Sequence, residues 1–174
     1  LRARLAHAVV SAHGAAFAAI DGDVLALPIP DYEFSGFDER SPDWAAQVGD
    51  FDDTLSPDLP RGLNGATQFD WLERHRGSDF ARGTLMPYAQ YWAWWLSGVA
   101  ASELGCHTHL WSPLRGDWSR LAQRRGWNRR FAPLRRAWEV LGPVRPALAQ
   151  RLGLPTDLRV HTGVHDSNAC LARY

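Results

Sequence analysis

Lysine is absent from this sequence of 174 residues, which contains 19 arginines in its place. We attribute this bias to a GC-rich genome and not to function. Cysteine is nearly absent, and its two copies, Cys106 and Cys170, are too few for a disulfide framework. No long hydrophobic run is present, because Gln90 and Ser97 interrupt the most apolar stretch, residues 88–101. These absences exclude disulfide-rich secreted domains and membrane-spanning proteins, and they favour a reducing, cytoplasmic setting.

The charges are unevenly distributed, although the formal net charge is zero. Residues 1–80 contain 14 acidic residues and 6 arginines, whereas residues 81–174 contain 5 acidic residues and 13 arginines. Eight of these arginines lie between Arg115 and Arg136, with two tryptophans among them. That composition suits nucleic acid or another phosphate-rich partner. A solvated face whose arginine stems cover apolar surface is the favoured interpretation, and we expect no nucleic acid partner.

Strand-like segments at both ends, with helical segments between them, predict an α/β fold. An Asp21-Gly22 hairpin turn is expected in the first part of the chain. A long irregular excursion is expected over residues 34–64. The predicted strands are residues 6–11, 15–20, 24–29, 106–111 and 158–163. The predicted helices are residues 66–75, 87–96, 120–125 with Ser119 as its cap, 131–141 and 146–152, and a strand-to-helix junction is predicted at residues 165–169.

The aromatic residues of the helix predicted over residues 87–96 have a spacing of three and four. This spacing predicts one buried stripe of aromatic side chains, which includes Tyr88, Tyr91, Trp92 and Trp95. Trp94 lies off this stripe, and we expect it to be more exposed or to face a part of the protein outside this sequence.

The short motifs of P-loops, Rossmann folds, serine hydrolases and zinc proteases are absent, so an active site must be assembled by the fold. Asp166 is the strongest candidate, because it follows a strand and precedes a helix, where α/β proteins place ligands. An ordinary helix cap is the alternative. His13 and Gly14 also follow a strand, and glycine permits close approach of a ligand to the backbone; a glycine-assisted turn is the alternative. Asp31 begins the long loop, either as a ligand contact or as a solvated acidic turn.

A cluster of cysteine and histidine has the residue types of a zinc site. Its members are Cys106, His107, His109, His161 and His165. Their spacing lacks the paired pattern of structural zinc sites, so buried, hydrogen-bonded histidines are the favoured interpretation and no metal is expected.

Six segments, in this order, resemble the FGGY family of carbohydrate kinases. They are VVSAHGAAFAAIDGD, LPIPDYE, NGATQFDWLERH, LMPYAQYWAWWLSG, LWSPLRGDWS and VHTGVHDSNACL. The last segment is similar to the family's G-x-x-D-x-x-A motif, and its His-Asp pair is closest to the rhamnulokinase-like and fuculokinase-like branch. The resemblance covers nearly the whole chain.

The resemblance implies the actin-like, ribonuclease-H-like α/β fold of a sugar kinase first domain, with a mixed sheet and flanking helices. It also implies ATP-dependent phosphorylation of a ketose, deoxyketose or polyol by the parent enzyme. Asp166 matches the catalytic base that accepts the proton of the sugar hydroxyl. The residues that match the sugar pocket are His13, Gly14, Asp31 and His165, with Gln68 as a further candidate.

Residues 1–174 are expected to be a partial first domain, because the family's D-x-G-[ST] hairpin and its ATP-binding second domain are not in this sequence. ATP and Mg²⁺ are therefore expected to bind mainly to parts outside this chain, and the chain alone is expected to be inactive. Residues 101–105 are fewer than in the family, and a non-functional copy is one explanation. The expected partners are a small-molecule sugar and, for the full-length protein, a second copy in a homodimer.

Two other classes of function stay open at this point. One is a sugar-binding or interaction module without catalysis, and the other is a metal-binding protein that uses the cysteine and histidine cluster.

Overall fold

A computed structural model describes residues 5–173 of the chain. The chain forms two compact units, and each is assembled from segments that are separate in sequence. The first unit comprises residues 5–14, 86–105 and 132–173, and the second comprises residues 15–85 and 106–131. The candidate residues at the two ends of the chain, His13 and Asp166, therefore belong to the same unit.

The strands of the described residues are short, and most have only two residues. They are β1 His7–Ala8, β2 Ser11–Ala12, β3 Phe17–Asp21, β4 Val24–Leu25, β5 Thr84–Pro87, β6 Trp111–Ser112, β7 Asp117–Trp118, β8 Val140–Pro143, β9 Arg159–His161 and β10 Val164–His165.

The α-helices vary more in length. They are α1 Trp44–Val48, α2 Phe51–Thr54, α3 Gly65–Arg82, α4 Tyr88–Ser97, α5 Arg120–Arg124, α6 Pro146–Leu152 and α7 Asp166–Leu171. None of the described helices is both long enough and apolar enough to cross a membrane.

The first unit contains parallel and antiparallel pairs of strands. Its larger sheet has the order β1-β9-β8, with β9 parallel to β1 and antiparallel to β8. Its second pair joins β2 and β10 in parallel. Parallel strands need a long connection, and here the chain between β2 and β10 includes the whole second unit. The mixed strand directions with helices beside them confirm the predicted α/β class.

In the second unit, β3 and β4 form the predicted hairpin, which turns at Asp21-Gly22. The sheet there has the order β4-β3-β5. The returning strand is shorter than the predicted residues 24–29 and ends at Leu25, before the first proline of this segment. Two short helices, α1 and α2, interrupt the segment that was expected to be irregular throughout.

Two predicted elements are absent from the described residues. Residues 131–141 are not helical, because Pro133 disfavours a helix and Leu134 instead forms a parallel bridge with Ser102. Residues 106–111 are mostly turn rather than strand. The backbone N–H groups of Leu110 and Trp111 both donate to the carbonyl of His107.

The other predicted helices are confirmed. α3 begins one residue before the prediction and extends to Arg82, with non-helical backbone angles at Gly77. α5 begins after Ser119, whose hydroxyl accepts a hydrogen bond from the N–H of Ala122 at 3.0 Å, as predicted for a helix cap.

The buried face of α4 is opposite to the predicted one. Trp94 is 5% exposed and Trp92 is 37% exposed, and the small residues Ala89 and Ala93 are buried beside Trp94. Alanine at these positions lets the helix axis approach the strands closely, whereas a row of large rings would hold it away. The same helical periodicity fits burial of either face of α4. The face with the small alanine side chains is the one that is buried, because it packs more closely.

Much of the arginine-rich segment is used inside the second unit. Arg125 binds the carboxylates of Asp70 and Glu73, and Asp70 is almost fully buried. The guanidinium of Arg130 lies 4.1 Å from the ring centroid of Phe80. These arginines cover apolar surface and neutralise acidic groups, in agreement with the favoured interpretation of their sequence.

Replacement of Trp94 by alanine is expected to lower the free energy of unfolding by about 3–5 kcal/mol, because it removes a large buried side chain. Urea denaturation followed by circular dichroism measures this change. Trp92→Ala, on the same helix, is the control and is expected to change the free energy by about 1 kcal/mol or less. Equal losses in the two variants would contradict this assignment of the buried face.

Candidate active site

The candidate site lies where β2 and β10 end. Ser11 pairs with Val164 and Ala12 pairs with His165 in a parallel register. The next residues along the two strands are His13 and Asp166. The predicted placement of these two residues at strand ends is confirmed, and the register makes the two ends neighbours.

The Asp166 carboxylate is held on one side. Its Oδ1 lies 3.1 Å from His165 Nε2 and accepts a hydrogen bond from the Ser167 N–H at 2.7 Å. Among the described residues, no hydrogen bond occupies Oδ2. The side chain of Asp166 is 51% exposed and that of His165 is 21% exposed. This arrangement orients a solvent-accessible carboxylate by one oxygen and leaves the other for a proton donor.

The group that lies against the backbone of Gly14 is the imidazole of His165. A Cβ atom at Gly14 would lie 2.6 Å from His165 Nε2 and 2.7 Å from its Cε1, so only glycine fits there. The sequence suggested that Gly14 allows close approach of a ligand; here it allows close approach of the residue that contacts Asp166. The ring centroid of His13, the residue before Gly14, lies 5.1 Å from the ring centroid of Tyr88.

Gln90, which the sequence reasoning did not select, fixes the turn that leads into β10. Its side-chain amide is buried and donates to the carbonyls of Thr162 and Gly163, both at 3.1 Å. Gly163 has a φ of +87°, and a Cβ there would lie 2.7 Å from the Val10 carbonyl oxygen. Both contacts hold the turn between β9 and β10 close to Gln90 and Val10. They therefore fix the positions of His165 and Asp166, which follow this turn.

Glu103 is a second carboxylate near His165 that the sequence reasoning missed. Burial raises the pKa of the Glu103 carboxyl, whereas its hydrogen bond from the Gly105 N–H, the charge of His165 and the Leu104 N–H oppose that rise. The Glu103 Oε2 to Gly105 N distance is 3.0 Å. No motif in the sequence marks Glu103, because its proximity to His165 arises only when two segments about 60 residues apart in sequence meet in the fold.

Asp31 and Gln68 belong to the second unit. Asp31 lines a largely apolar cavity of about 410 Å³ together with Phe34, Trp71 and Arg76. Its Oδ1 accepts a hydrogen bond from the Glu33 N–H at 2.8 Å. The roles predicted for both residues in sugar binding stay predictions.

Gln68 is fully buried, and its side-chain amide donates to the carbonyls of Gly62 at 2.6 Å and Ala15 at 3.0 Å. These bonds tie α3 to the chain just after Gly14. Such a contact supports the backbone, whether or not Gln68 also contacts a sugar.

The histidines of the cysteine and histidine cluster are divided between the two units. His107 and His109 are buried in the second unit, whereas His161 and His165 belong to the first. His109 Nε2 lies 2.9 Å from the Ser56 carbonyl oxygen, and burial lowers the pKa of its imidazole. Across residues 5–173, no group of three or more His, Cys, Asp and Glu side chains is arranged to hold a metal ion.

Gly14→Ala is expected to displace the His165 imidazole, because the new Cβ would overlap its Nε2. The displaced ring would lose its contact with Asp166 Oδ1. Histidine side-chain NMR signals of the wild-type and variant chains measure this change. An unchanged His165 signal in a folded variant would show that Gly14 does not position the ring.

Comparison with solved structures relates this geometry to known proteins, whereas no protein-family model and no curated protein sequence matches the chain. A carbohydrate kinase from Novosphingobium aromaticivorans is 44% identical, with a TM-score of 0.88 over 97% of this chain and 37% of that chain. A ligand-bound xylulose kinase from Lactobacillus acidophilus is 14% identical, with a TM-score of 0.77 over 94% of this chain and 35% of that chain. A gluconate kinase from the same organism is also 14% identical, with a TM-score of 0.74 over 91% and 34% of the respective chains.

The two more distant structures show the fold alone, which is the actin-like fold of sugar kinases, as the sequence resemblance implied. The chain spans little more than a third of the length of each of these neighbours. The similarity of this chain to the carbohydrate kinase from Novosphingobium aromaticivorans extends over nearly all of its residues, at a much higher sequence identity. The solved structures that this chain resembles are therefore carbohydrate kinases of the FGGY type, and the chain corresponds to one part of them.

Proposed function

We propose that the protein to which this chain belongs transfers a phosphoryl group from ATP to a hydroxyl group of a sugar, with Asp166 as the general base. The observation that carries this proposal is the position of Asp166, oriented by His165 at the ends of two adjacent parallel strands. The 44% identity with a carbohydrate kinase supports it.

In this proposal the exposed carboxylate of Asp166 accepts the proton as the sugar oxygen attacks the phosphorus atom. The sugar O–H bond breaks, a new O–P bond forms, and ADP leaves with the bonding electron pair of the broken O–P bond. The contacts of Oδ1 with His165 and Ser167 hold the carboxylate, so that Oδ2 faces the incoming hydroxyl. A general base contributes about 10²–10⁴-fold to such a rate, and positioning contributes the rest.

His13, Gly14 and His165 are the proposed sugar contacts of the first unit, since the last two lie against each other beside Asp166. Asp31 and Gln68 are proposed contacts of the second unit. Asp31 lines the same cavity as Trp71, and sugar sites combine polar groups with aromatic walls.

Residues 5–173 contain no group of three or more His, Cys, Asp and Glu side chains arranged around a metal ion. The sequence has no P-loop motif. We assign the binding of Mg²⁺ and ATP mainly to parts of the kinase outside residues 1–174, which is the extent of the partial first domain that we propose.

The proposed acceptor is a ketose, deoxyketose or polyol, as in the rhamnulokinase-like and fuculokinase-like branch that the His165-Asp166 pair resembles. Two of the similar solved structures are named as a xylulose kinase and a gluconate kinase, so their names give small carbohydrate-derived substrates. A cytoplasmic location and a homodimer of the full-length protein complete the proposal.

A sugar-binding module without catalysis is the second candidate. The cavity of about 410 Å³ lined by Asp31 and Trp71 favours it, since binding of a sugar there does not need Asp166. The two candidates differ in one respect, because only the kinase requires Asp166 to accept a proton.

The chain of 174 residues alone is expected to give no sugar-dependent ADP release. The groups that hold phosphates and Mg²⁺ lower most of the barrier to phosphoryl transfer, and they are proposed to lie elsewhere. A coupled ADP assay over a panel of ketoses and polyols measures this. Turnover well above the rate without protein, and lost in Asp166→Ala, would contradict the assignment of the phosphate-binding groups.

Asp166→Asn in the full-length protein is expected to lower kcat by about 10²–10⁴-fold, because the amide cannot accept the proton. The same ADP assay measures kcat with the best sugar of the panel. Asp157→Asn is the matched control, because it makes the same change at an exposed carboxylate of the same unit, and it is expected to retain activity. Equal activity of Asp166→Asn and the wild type would exclude the general-base role.

A further inference from the structure

Glu103 brings a second carboxylate to the candidate site from a segment that the kinase proposal does not use. It lies after α4, whereas His165 lies 62 residues and Asp166 lies 63 residues later in the chain. Both segments belong to the first unit. The connecting residue is Gly105, whose N–H donates to Glu103 Oε2 at 3.0 Å.

The backbone of Gly105 is in contact with three side chains at once. A Cβ atom there would clash with Asn168 Nδ2 and would lie 2.9 Å from Glu103 Oε2 and 3.2 Å from His165 Cβ. Glycine at this position therefore allows Glu103, His165 and Asn168 to converge. His165 and Asn168 lie on the two sides of Asp166 in the sequence, so the loop of Glu103 packs on the residues that carry the candidate base.

We propose that Glu103 is a positioning residue for Asp166. Its carboxylate fixes the loop of residues 103–105 over His165, so that the imidazole stays in contact with Asp166 Oδ1. The assignment of Asp166 as the base rests on the proposed function, whereas the coupling of Glu103 to His165 does not.

The electrostatics of Glu103 support this role. Burial raises the pKa of its carboxyl, and the charge of His165 acts in the opposite direction. The N–H groups of Gly105 and Leu104 and the imidazole of His165 therefore offset the effect of burial on the Glu103 pKa only in part. The other titratable groups on the elements packed around β10 are His13 after β2, Tyr88 and Tyr91 on α4, and Asp166 and Cys170 on α7.

The sign of the pH effect follows from the raised pKa. Because the folded chain holds the Glu103 proton more tightly than the unfolded chain, ionisation of Glu103 destabilises the fold as pH rises through this pKa. Glu103→Gln keeps an oxygen that can accept from Gly105 N–H but cannot ionise. This variant is expected to be at least as stable as the wild type at neutral pH, and any gain is expected to vanish as pH falls below 4.5, the ordinary pKa of the carboxyl.

The direct test is a ¹³C NMR titration of the Glu103 carboxyl in the 174-residue chain. The expected result is a pKa above the ordinary value, which rises further in His165→Gln because the favourable charge of the imidazole is lost. His161→Gln is the matched control: it removes an imidazole of the same unit that contacts His7 and the Trp138 carbonyl, and it is expected to leave the Glu103 pKa unchanged.

A Glu103 pKa at or below the ordinary value, or the same pKa in His165→Gln and the wild type, would overturn the proposal. Thermal unfolding of Glu103→Gln against pH gives an independent measurement if His165→Gln does not fold, and a midpoint well below that of the wild type at neutral pH would overturn it as well.

In the full-length protein, Glu103→Gln is expected to change the pH dependence of kcat while KM for the sugar stays the same. A pH profile identical to that of the wild type would overturn the positioning role. Failure of the kinase proposal would be seen differently, as absence of any activity sensitive to Asp166→Asn, and it would leave the Glu103 titration unaffected.

Discussion

The parallel pairing of β2 with β10 is the contact on which the candidate site depends. Only two residue pairs form it, and the strands come from opposite ends of the chain. Two pairs cannot hold a register by themselves, so other contacts must set it. Gln90 anchors the turn before β10 by two hydrogen bonds, and Gly163 lets that turn approach the Val10 carbonyl closely. The position of Asp166 thus depends on the buried side chain of Gln90 and on the turn at Gly163.

Close packing around glycine then defines the chemistry of the site. Gly14 accommodates the imidazole of His165, and Gly105 accommodates the contacts of Glu103 and Asn168. The result is a row of carboxylate, imidazole and carboxylate, from a half-buried Glu103 to an exposed Asp166. A half-buried charge is unfavourable for stability, and a charge at the surface is available for proton transfer. The same unit of the protein therefore supplies a fixed support and a reactive group.

Local signals in the sequence were sufficient for the elements that depend on nearby residues. The hairpin at Asp21-Gly22, the Ser119 cap and the junction before Asp166 were all predicted from a few neighbouring residues. The buried face of α4 was predicted wrongly, since the same periodicity fits both faces and the close approach of the strands favours alanine over Trp92. Glu103 and Gln90 could not be selected, because their partners are about 60 or more residues away and no motif records such a contact.

A crystal structure of the full-length protein with its sugar bound tests the account most directly. The account predicts that the hydroxyl that becomes phosphorylated lies within hydrogen-bond distance of the Asp166 carboxylate, about 2.6–3.2 Å, on the Oδ2 side. His165 should still contact Oδ1 in that complex. A sugar bound with no hydroxyl near Asp166, or with another residue at that distance from the reacting hydroxyl, would contradict the central claim.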